Sequence, residues 1–323
     1  MEQVTKKRLE LFSGRAHPEL AQEIAGHLGI ELGDPDLVDF ANTEVRCRFG
    51  ESIRGADVFI VQSHVAPVND SIIEQLIMID AAKRASAKRI TAVCAYYGYG
   101  RQDRKAEGRE PITAKLVADM LTAAGADRIV SVDLHSGQIQ GFFDGPFDHL
   151  TAMPVLIDHL RAHVPGELVV VSPDIGRAKV AERYARHLGA RVAFVDKRRD
   201  KKTVNVVEAK TIIGEVAGMT CVLVDDMIDT AGTICAAADA LAAAGATDIW
   251  AAATHGVLSD PAIDRLKNSV ISKVIITNTL PLPEDRRIDK IEVLSIAKVV
   301  ADAIDAVFED TSVSEIFGGE NQS

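Results

Sequence analysis

Alternating strand and helix signals along nearly the whole chain predict an α/β protein of two related domains, each a mainly parallel sheet flanked by helices. Three observations carry this. Short apolar runs recur between longer stretches of helical period. Gly-Ala pairs at Gly125-Ala126, Gly189-Ala190 and Gly245-Ala246 stand between a helical stretch and the next apolar run, where glycine supplies a left-handed C-cap. The length of 323 residues is generous for one domain and comfortable for two.

Taken in order, the apolar runs predict strands at 8–12, 58–62, 90–94, 129–132, 168–171, 192–195, 220–224, 249–253 and 274–276. Helices are predicted between them, among others at 70–87, 112–124, 155–162, 178–187, 233–244 and 295–308. Two blocks share a pattern: IRGADVFIVQS, helix, KRITAVCAYYGYG, and VAGMTCVLVDD, helix, TDIWAAATHGV. They hint at two related domains, expected at 1–148 and 149–323 and divided around the Gly-Pro of GPFDHLTAMP. The last helix is a candidate to pack back on the first domain.

Composition narrows the class. Apolar residues make up 47% and charged residues 26%, as in soluble globular chains. The net charge of −11 argues against a nucleic-acid partner, although a small phosphorylated ligand can still be held by local N–H groups, cations and a metal. The N-terminal stretch lacks the apolar core of an export signal, and no apolar run is long enough for a membrane span. Four cysteines without a C-x-x-C pair fit a reducing compartment. The expectation is a cytoplasmic protein.

The strongest chemical signal is VLVDDMIDTAGT. An apolar strand ends in Asp225 and Asp226, a loop follows with Asp229, Thr230, Ala231, Gly232 and Thr233, and an Ala-rich helix begins. Loop N–H groups and the helix N-terminus make a phosphate cradle, and Gly232 lets the backbone approach the anion. The carboxylates suit sugar hydroxyls or a bridging cation. An ordinary strand–turn–helix with capping residues explains one Asp and one Thr, but not the whole string.

Four further clusters follow strands or lie in loops. YYGYGRQDRK brings Arg101, Gln102, Asp103 and Arg104 to the end of a strand, where ligands of open α/β sheets collect; a solvated basic loop is the plain alternative. VDLHSGQIQGFF places His135 after a strand and before a Gly turn, where it suits a metal or phosphate ligand as well as a structural role. VVVSPDIGRA ends a strand in Asp174, which suits a metal as well as an N-cap. FVDKRRDKK carries Lys197 and Arg199 in a stretch without helical period. Such a loop could close over a polyphosphate, or be a basic surface. Finally, Phe40, Asn42 and Glu44 sit at strand-like spacing in DFANTEV. Phe40 could stack on a base and Glu44 accept from an exocyclic amine, while an edge strand serves equally well.

RQDRK, VDLHSGQIQGFF, SPD-x-G, DKRR and VLVDDMIDTAGT, in this order over about 9–317, resemble the ribose-phosphate pyrophosphokinases (PRPP synthetases) of the phosphate-dependent class. The resemblance implies two phosphoribosyltransferase-like domains. It implies transfer of the diphosphoryl group of ATP to the C1 hydroxyl of ribose 5-phosphate, giving PRPP and AMP for nucleotide, histidine and tryptophan biosynthesis. It implies Mg2+, inorganic phosphate as activator, ADP as inhibitor and a homohexamer. By the same resemblance, Asn42, Thr43, Glu44, Arg101 and Gln102 bind ATP, with Phe40 and Asp103 added from the same segments. His135 and Asp174 become metal-linked. Lys197 and Arg199 become catalytic. Arg199, Asp225, Asp226 and Asp229 to Thr233 hold ribose 5-phosphate, and Ser52 and Arg54 form an allosteric anion site. The chain departs from the family pattern at Asn42-Thr43, where Asp-Gly is usual, at Arg177, where Gly is usual, and at Ala95 and Gly100. A phosphoribosyltransferase, a silent regulatory paralogue and a nucleotide-sensing module are the rival readings.

Overall fold

The structure, a computed structural model, describes residues 7–197 and 210–317. The chain forms two compact units. The first comprises the residues up to Thr151, Thr279–Pro281 and the chain from Ser295 onward; the second comprises Ala152–Asn278 and Leu282–Leu294.

The first unit runs β1 (Leu9–Ser13), α1 (Pro18–Leu28), a small hairpin β2 (Val38–Asp39) and β3 (Val45–Arg46), β4 (Asp57–Val61), α2 (Val68–Arg84), β5 (Arg89–Cys94), α3 (Thr113–Ala124), β6 (Arg128–Val132) and β7 (Phe147–Leu150). Its sheet has the order β1-β4-β5-β6-β7 and is parallel throughout. β4 is buried at every position, as expected for a strand covered by helices on both faces.

The second unit runs α4 (Met153–His163), β8 (Leu168–Ser172), α5 (Ala178–Leu188), β9 (Arg191–Lys197), β10 (Lys210–Ile213), β11 (Thr220–Ile228), α6 (Gly232–Ala243), β12 (Asp248–Gly256), α7 (Ala262–Asn268), β13 (Lys273–Thr277) and β14 (Ile291–Leu294). Its sheet order is β10-β9-β8-β11-β12-β13-β14, parallel except for the β9–β10 pair. The chain then returns to the first unit as α8 (Ala297–Phe308), which packs on α1.

Small side chains let the helices lie close to the sheets. Ala237 and Ala238 of α6 are fully buried between Ile234 and Leu241, against the Val and Ile residues of β8, β11 and β12. Gly125 and Gly189 close α3 and α5 with positive φ, and Gly245 follows α6 with φ 89°.

Besides the two-residue strands β2 and β3, three short strands escape the periodicity, namely β7, β10 and β14, four residues each. All are edge strands, which need only one apolar face and so lack the continuous run that marks a central parallel strand. The expected strand at 220–224 is longer, because β11 and β12 stay paired as far as Ile228 and Gly256. The strand-like spacing expected for Phe40–Glu44 is not observed. These residues form the tip of the β2–β3 hairpin, with Thr43 N–H donating to the Phe40 carbonyl at 2.8 Å. Asn42 Oδ1 accepts from Glu44 N–H at 3.3 Å, and Thr43 turns at φ 70°. Asn is a common residue for such a turn because its side chain bonds the backbone two residues on. Among the described residues, no helix is long and apolar enough to cross a membrane.

Leu241 is fully buried under the second sheet. Leu241→Ala is expected to lower stability by about 2–5 kcal/mol, read as an earlier urea unfolding midpoint at unchanged slope.

Candidate active site

In the second unit the site grows from an unequal strand pair. β8 and β11 pair only as far as Val171 and Leu223, whereas β11 continues to Ile228 along β12. The last residues of β11 therefore project beyond β8 with one edge free of strand partners. Asp225 and Asp226 lie on this projection. Asp226 N–H donates to Asp225 Oδ1 at 2.9 Å, and the Asp226 side chain is 7% exposed.

Two neighbouring carboxyl groups in so little solvent cannot both ionise freely. Burial, and then the charge of Asp226, raises the Asp225 carboxyl far above the usual carboxylate range, against the pull of Arg177. The Arg177 guanidinium reaches both, with Nη2 at 2.6 Å from Asp226 Oδ2 and Nε at 3.7 Å from Asp225 Oδ1.

Beyond β11, Asp229 and Thr230 lead to Ala231, which adopts φ 58°, and α6 starts at Gly232. A left-handed residue against a helix start turns successive N–H groups to one side, the geometry of an anion nest. Asp229, Thr230, Ala231, Gly232 and Thr233 are thus brought together. Arg265 of α7 supports the loop from behind, donating from Nη1 to the Thr230 carbonyl at 2.8 Å. A Cβ on Gly232 would lie 3.1 Å from that same nitrogen, a tight fit that Arg265 would have to shift to admit.

Asp174 follows β8. Its Oδ1 accepts from Arg177 N–H at 3.1 Å and closes the 3-10 turn Ile175–Arg177. The N-cap geometry weighed from the sequence is therefore present, and it engages one of the two carboxylate oxygens. Lys197 is the last residue of β9. Arg199 and the Lys197 side chain lie outside the described part of the structure.

In the first unit, the run Arg101–Asp103 follows β5 and a tight turn. That turn is held by His64, which is fully buried. His64 Nδ1 accepts from Gly98 N–H at 2.9 Å, and its Nε2–H donates to Gln75 Oε1 at 2.9 Å. The two bonds select the neutral tautomer, and burial depresses the pKa to about 4. Gln102 is anchored to the start of α3, its Oε1 accepting from the Thr113 hydroxyl at 2.6 Å. The amide NH2 is the group left for a ligand. Arg101 is exposed and Asp103 half-buried. His135 follows β6 and is half-buried; the neighbouring turn is fixed by Leu134 N–H donating to His149 Nε2 at 2.9 Å.

A cavity of about 940 Å³ lies beside the hairpin, lined among others by Arg15, Phe40, Thr43, Glu44, Gln62 and Glu74. Arg15 links its two sides. Nε donates to buried Glu74 at 2.6 Å, while Nη1 and Nη2 grip Asp39 of the hairpin at 2.9 and 2.7 Å. Gln62 Nε2 also donates to Glu74, at 2.9 Å. Phe40 stands 52% exposed at the hairpin tip. Asn42, Arg101, Gln102 and Asp103 do not line this cavity, so the nucleotide residues expected from the sequence fall in more than one place within the chain. A second cavity, about 330 Å³, is lined by Arg48, Ser52 and Arg54 among others.

Comparison with known proteins decides the family. Residues 9–125 match the family model for the N-terminal domain of ribose phosphate pyrophosphokinase, and residues 201–318 match the model for the phosphoribosyl synthetase-associated domain. A ribose-phosphate pyrophosphokinase of Streptomyces avermitilis is 58% identical over 313 residues, 97% of either chain. That of Mycobacterium tuberculosis is 55% identical over 317 residues, 98% of this chain and 97% of the relative. The chain belongs to the ribose-phosphate pyrophosphokinase family. The crystal structure of phosphoribosylpyrophosphate synthetase from Mycobacterium smegmatis superposes with a TM-score of 0.89 at 54% identity, covering 94% of this chain and all of that one.

Within this ribose-phosphate pyrophosphokinase, His64, Glu74 and Arg15 are positioning residues that the sequence does not announce. Each is a lone polar residue in or beside an apolar stretch, and only the fold shows what it holds. Among the described residues no group of three or more His, Cys, Asp or Glu side chains is arranged to hold a metal ion. Mg2+ typically takes one or two carboxylates and completes its shell with water and substrate phosphate, so the Asp225–Asp226 pair, with one carboxyl resisting ionisation, fits such an ion. The buried thiols play no part: burial pushes Cys94 up to about 12 and Cys221 to about 11, and inert thiols result.

His64 makes stability depend on pH. Its pKa is near 4 in the folded chain and 6.5 ordinarily, so the unfolded chain holds more protons between these values. Its contribution is complete above pH 6.5 and is lost as the pH falls toward 4, by about 3 kcal/mol. Urea unfolding across this range should show a steeper acid loss for wild type than for His64→Gln.

Proposed function

We propose that this chain transfers the β,γ-diphosphoryl group of ATP to the C1 hydroxyl of ribose 5-phosphate, giving PRPP and AMP. The observation that carries the reading is the end of β11: an acid pair on a projecting strand, followed at once by a left-handed residue and a helix N-terminus. One stretch of chain thereby offers acceptors for sugar hydroxyls and donors for a phosphate. The similarity to pyrophosphokinases over 97% of the chain supports the same reaction.

In this reading the 229–233 loop grips the 5-phosphate through N–H groups and the Thr230 and Thr233 hydroxyls. Asp225 and Asp226 orient the ribose hydroxyls, so that the C1 oxygen faces the β-phosphorus in line. Arg101, Gln102 and Asp103, with Phe40, Asn42, Thr43 and Glu44 of the hairpin, hold ATP. In this reading the enzyme works as a homohexamer. Asp225, Asp226, His135 and Asp174 are the candidate residues to hold Mg2+, which would supply charge neutralisation when bound. Lys197 and Arg199 meet the charge that develops on the transferring group. The N-terminal unit is thus the nucleotide side and the C-terminal unit the ribose side, in a cytoplasmic enzyme. Inorganic phosphate as activator and ADP as inhibitor suit the Arg48–Arg54 cavity, which presents cations and a hydroxyl to an anion.

AMP and PRPP are expected in equal amounts from ATP, ribose 5-phosphate and Mg2+. Lys197→Ala should lose about 3–4 kcal/mol of barrier lowering, a rate loss of two to three orders of magnitude with unfolding unchanged. Ribose 5-phosphate binding without AMP release from wild type would point to a sensing module instead. Arg54→Ala should weaken phosphate activation and ADP inhibition together, while the rate measured without phosphate or ADP stays within about twofold.

A further inference from the structure

Position 177 is an arginine, at the end of the turn that follows β8. The arginine does not point into solvent. Its side chain is 19% exposed, it ends the turn that Asp174 caps, and its guanidinium spans the gap from β8 to the projecting end of β11. It meets Asp226 at 2.6 Å and Asp225 at 3.7 Å. The two contacts are unequal, and the inequality has a consequence. Asp226, at 7% exposure, is the carboxylate that a fixed cation holds at hydrogen-bond distance. Asp225, with the longer contact, is the less tightly held by the guanidinium.

A short, nearly buried pair of this kind resists rotation, because separating the partners strands a charge where water cannot reach it. Asp226 N–H donates to Asp225 Oδ1, and the Arg177 guanidinium contacts both side chains, so the two carboxyl groups and the arginine form one connected cluster. Lysine would preserve the charge but not the two-armed reach of a planar guanidinium.

We infer that Arg177 is a positioning residue of the ribose site: by anchoring Asp226 across the β8–β11 gap, it sets the Asp225 carboxyl toward the ribose hydroxyls. The inference rests on the ribose 5-phosphate reading proposed above. It assigns Arg177 an effect on the sugar substrate alone, with ATP handling left intact.

Steady-state kinetics and calorimetric titration of ribose 5-phosphate, on the full-length wild type, Arg177→Ala, Arg177→Lys, Asp226→Asn and Arg177→Ala/Asp226→Asn, test this. Arg177→Ala should raise KM and the dissociation constant for ribose 5-phosphate by about tenfold or more, with KM for ATP within about twofold. Arg177→Lys should show an intermediate rise, about threefold, again for the sugar only. Asp226→Asn alone should weaken ribose 5-phosphate binding, and the double variant should lose less than the sum of the two single losses, since Arg177 acts through Asp226. Equal rises in both KM values, or an unchanged ribose 5-phosphate constant in Arg177→Ala, would overturn the inference. If Arg177→Ala does not fold, Arg177→Lys decides: an unchanged constant for the sugar refutes it. The functional reading fails separately. A wild type that binds ribose 5-phosphate but releases no AMP removes the reaction, while the dissociation constants still read the role of Arg177.

Discussion

The acid pair and loop at the end of β11 depend on one mismatch in strand length. Parallel pairing between β8 and β11 stops at Leu223, while pairing between β11 and β12 continues to Ile228. A strand supported along one edge can carry polar side chains beyond the core without giving up its direction. The acid pair, the loop and the start of α6 all inherit their positions from that supported projection. Open α/β sheets gather ligands beyond the carboxyl ends of their strands, and here the reason is local: the neighbouring strand ends early, and its connecting turn leaves room.

The projection also creates the main electrostatic strain of the second unit. Two adjacent carboxyl groups with little solvent raise each other's cost of ionisation. Arg177 relieves this on one side, and a divalent ion with sugar hydroxyls would relieve it on the other. An unliganded site under such tension favours a ligand that brings positive charge, a physical motive for binding sugar and metal together. The phosphate needs no such relief, because the nest at Ala231 and the α6 N-terminus are already arranged for an anion.

Much of this was legible from residue patterns. Central strands read clearly because burial on both faces demands unbroken runs such as Val222–Val224, and the Gly-Ala pairs mark helix ends by backbone geometry that only glycine adopts freely. The edge strands β7, β10 and β14 were not legible, since one apolar face over four residues makes no run. At the site, Asp225 to Thr233 could be read because a single stretch of sequence builds the whole feature. His64 and Arg15 could not, because their partners Gly98, Gln75, Glu74 and Asp39 are distant in sequence and meet only on folding. The Phe40 segment was readable as chemistry but not as geometry: alternation suggested a strand, and the Asn42 side chain makes a turn.

The two units hold their exposed polar groups in place by different means. In the second unit, backbone geometry arranges the N–H groups at the start of α6, and Arg177 contacts the acid pair. In the first unit, the exposed side chains stand on a short, two-stranded projection that could not hold its own shape in water. Arg15 supplies the missing support by tying Asp39 to a carboxylate buried in the first unit. An exposed Arg–Asp pair alone contributes little. Here the same guanidinium also satisfies Glu74, whose burial would otherwise be costly, so the hairpin is anchored to a contact the unit cannot do without. Rigidity at the base and exposure at the tip follow together, and Phe40 and Glu44 are presented on a fixed stalk rather than on a free loop.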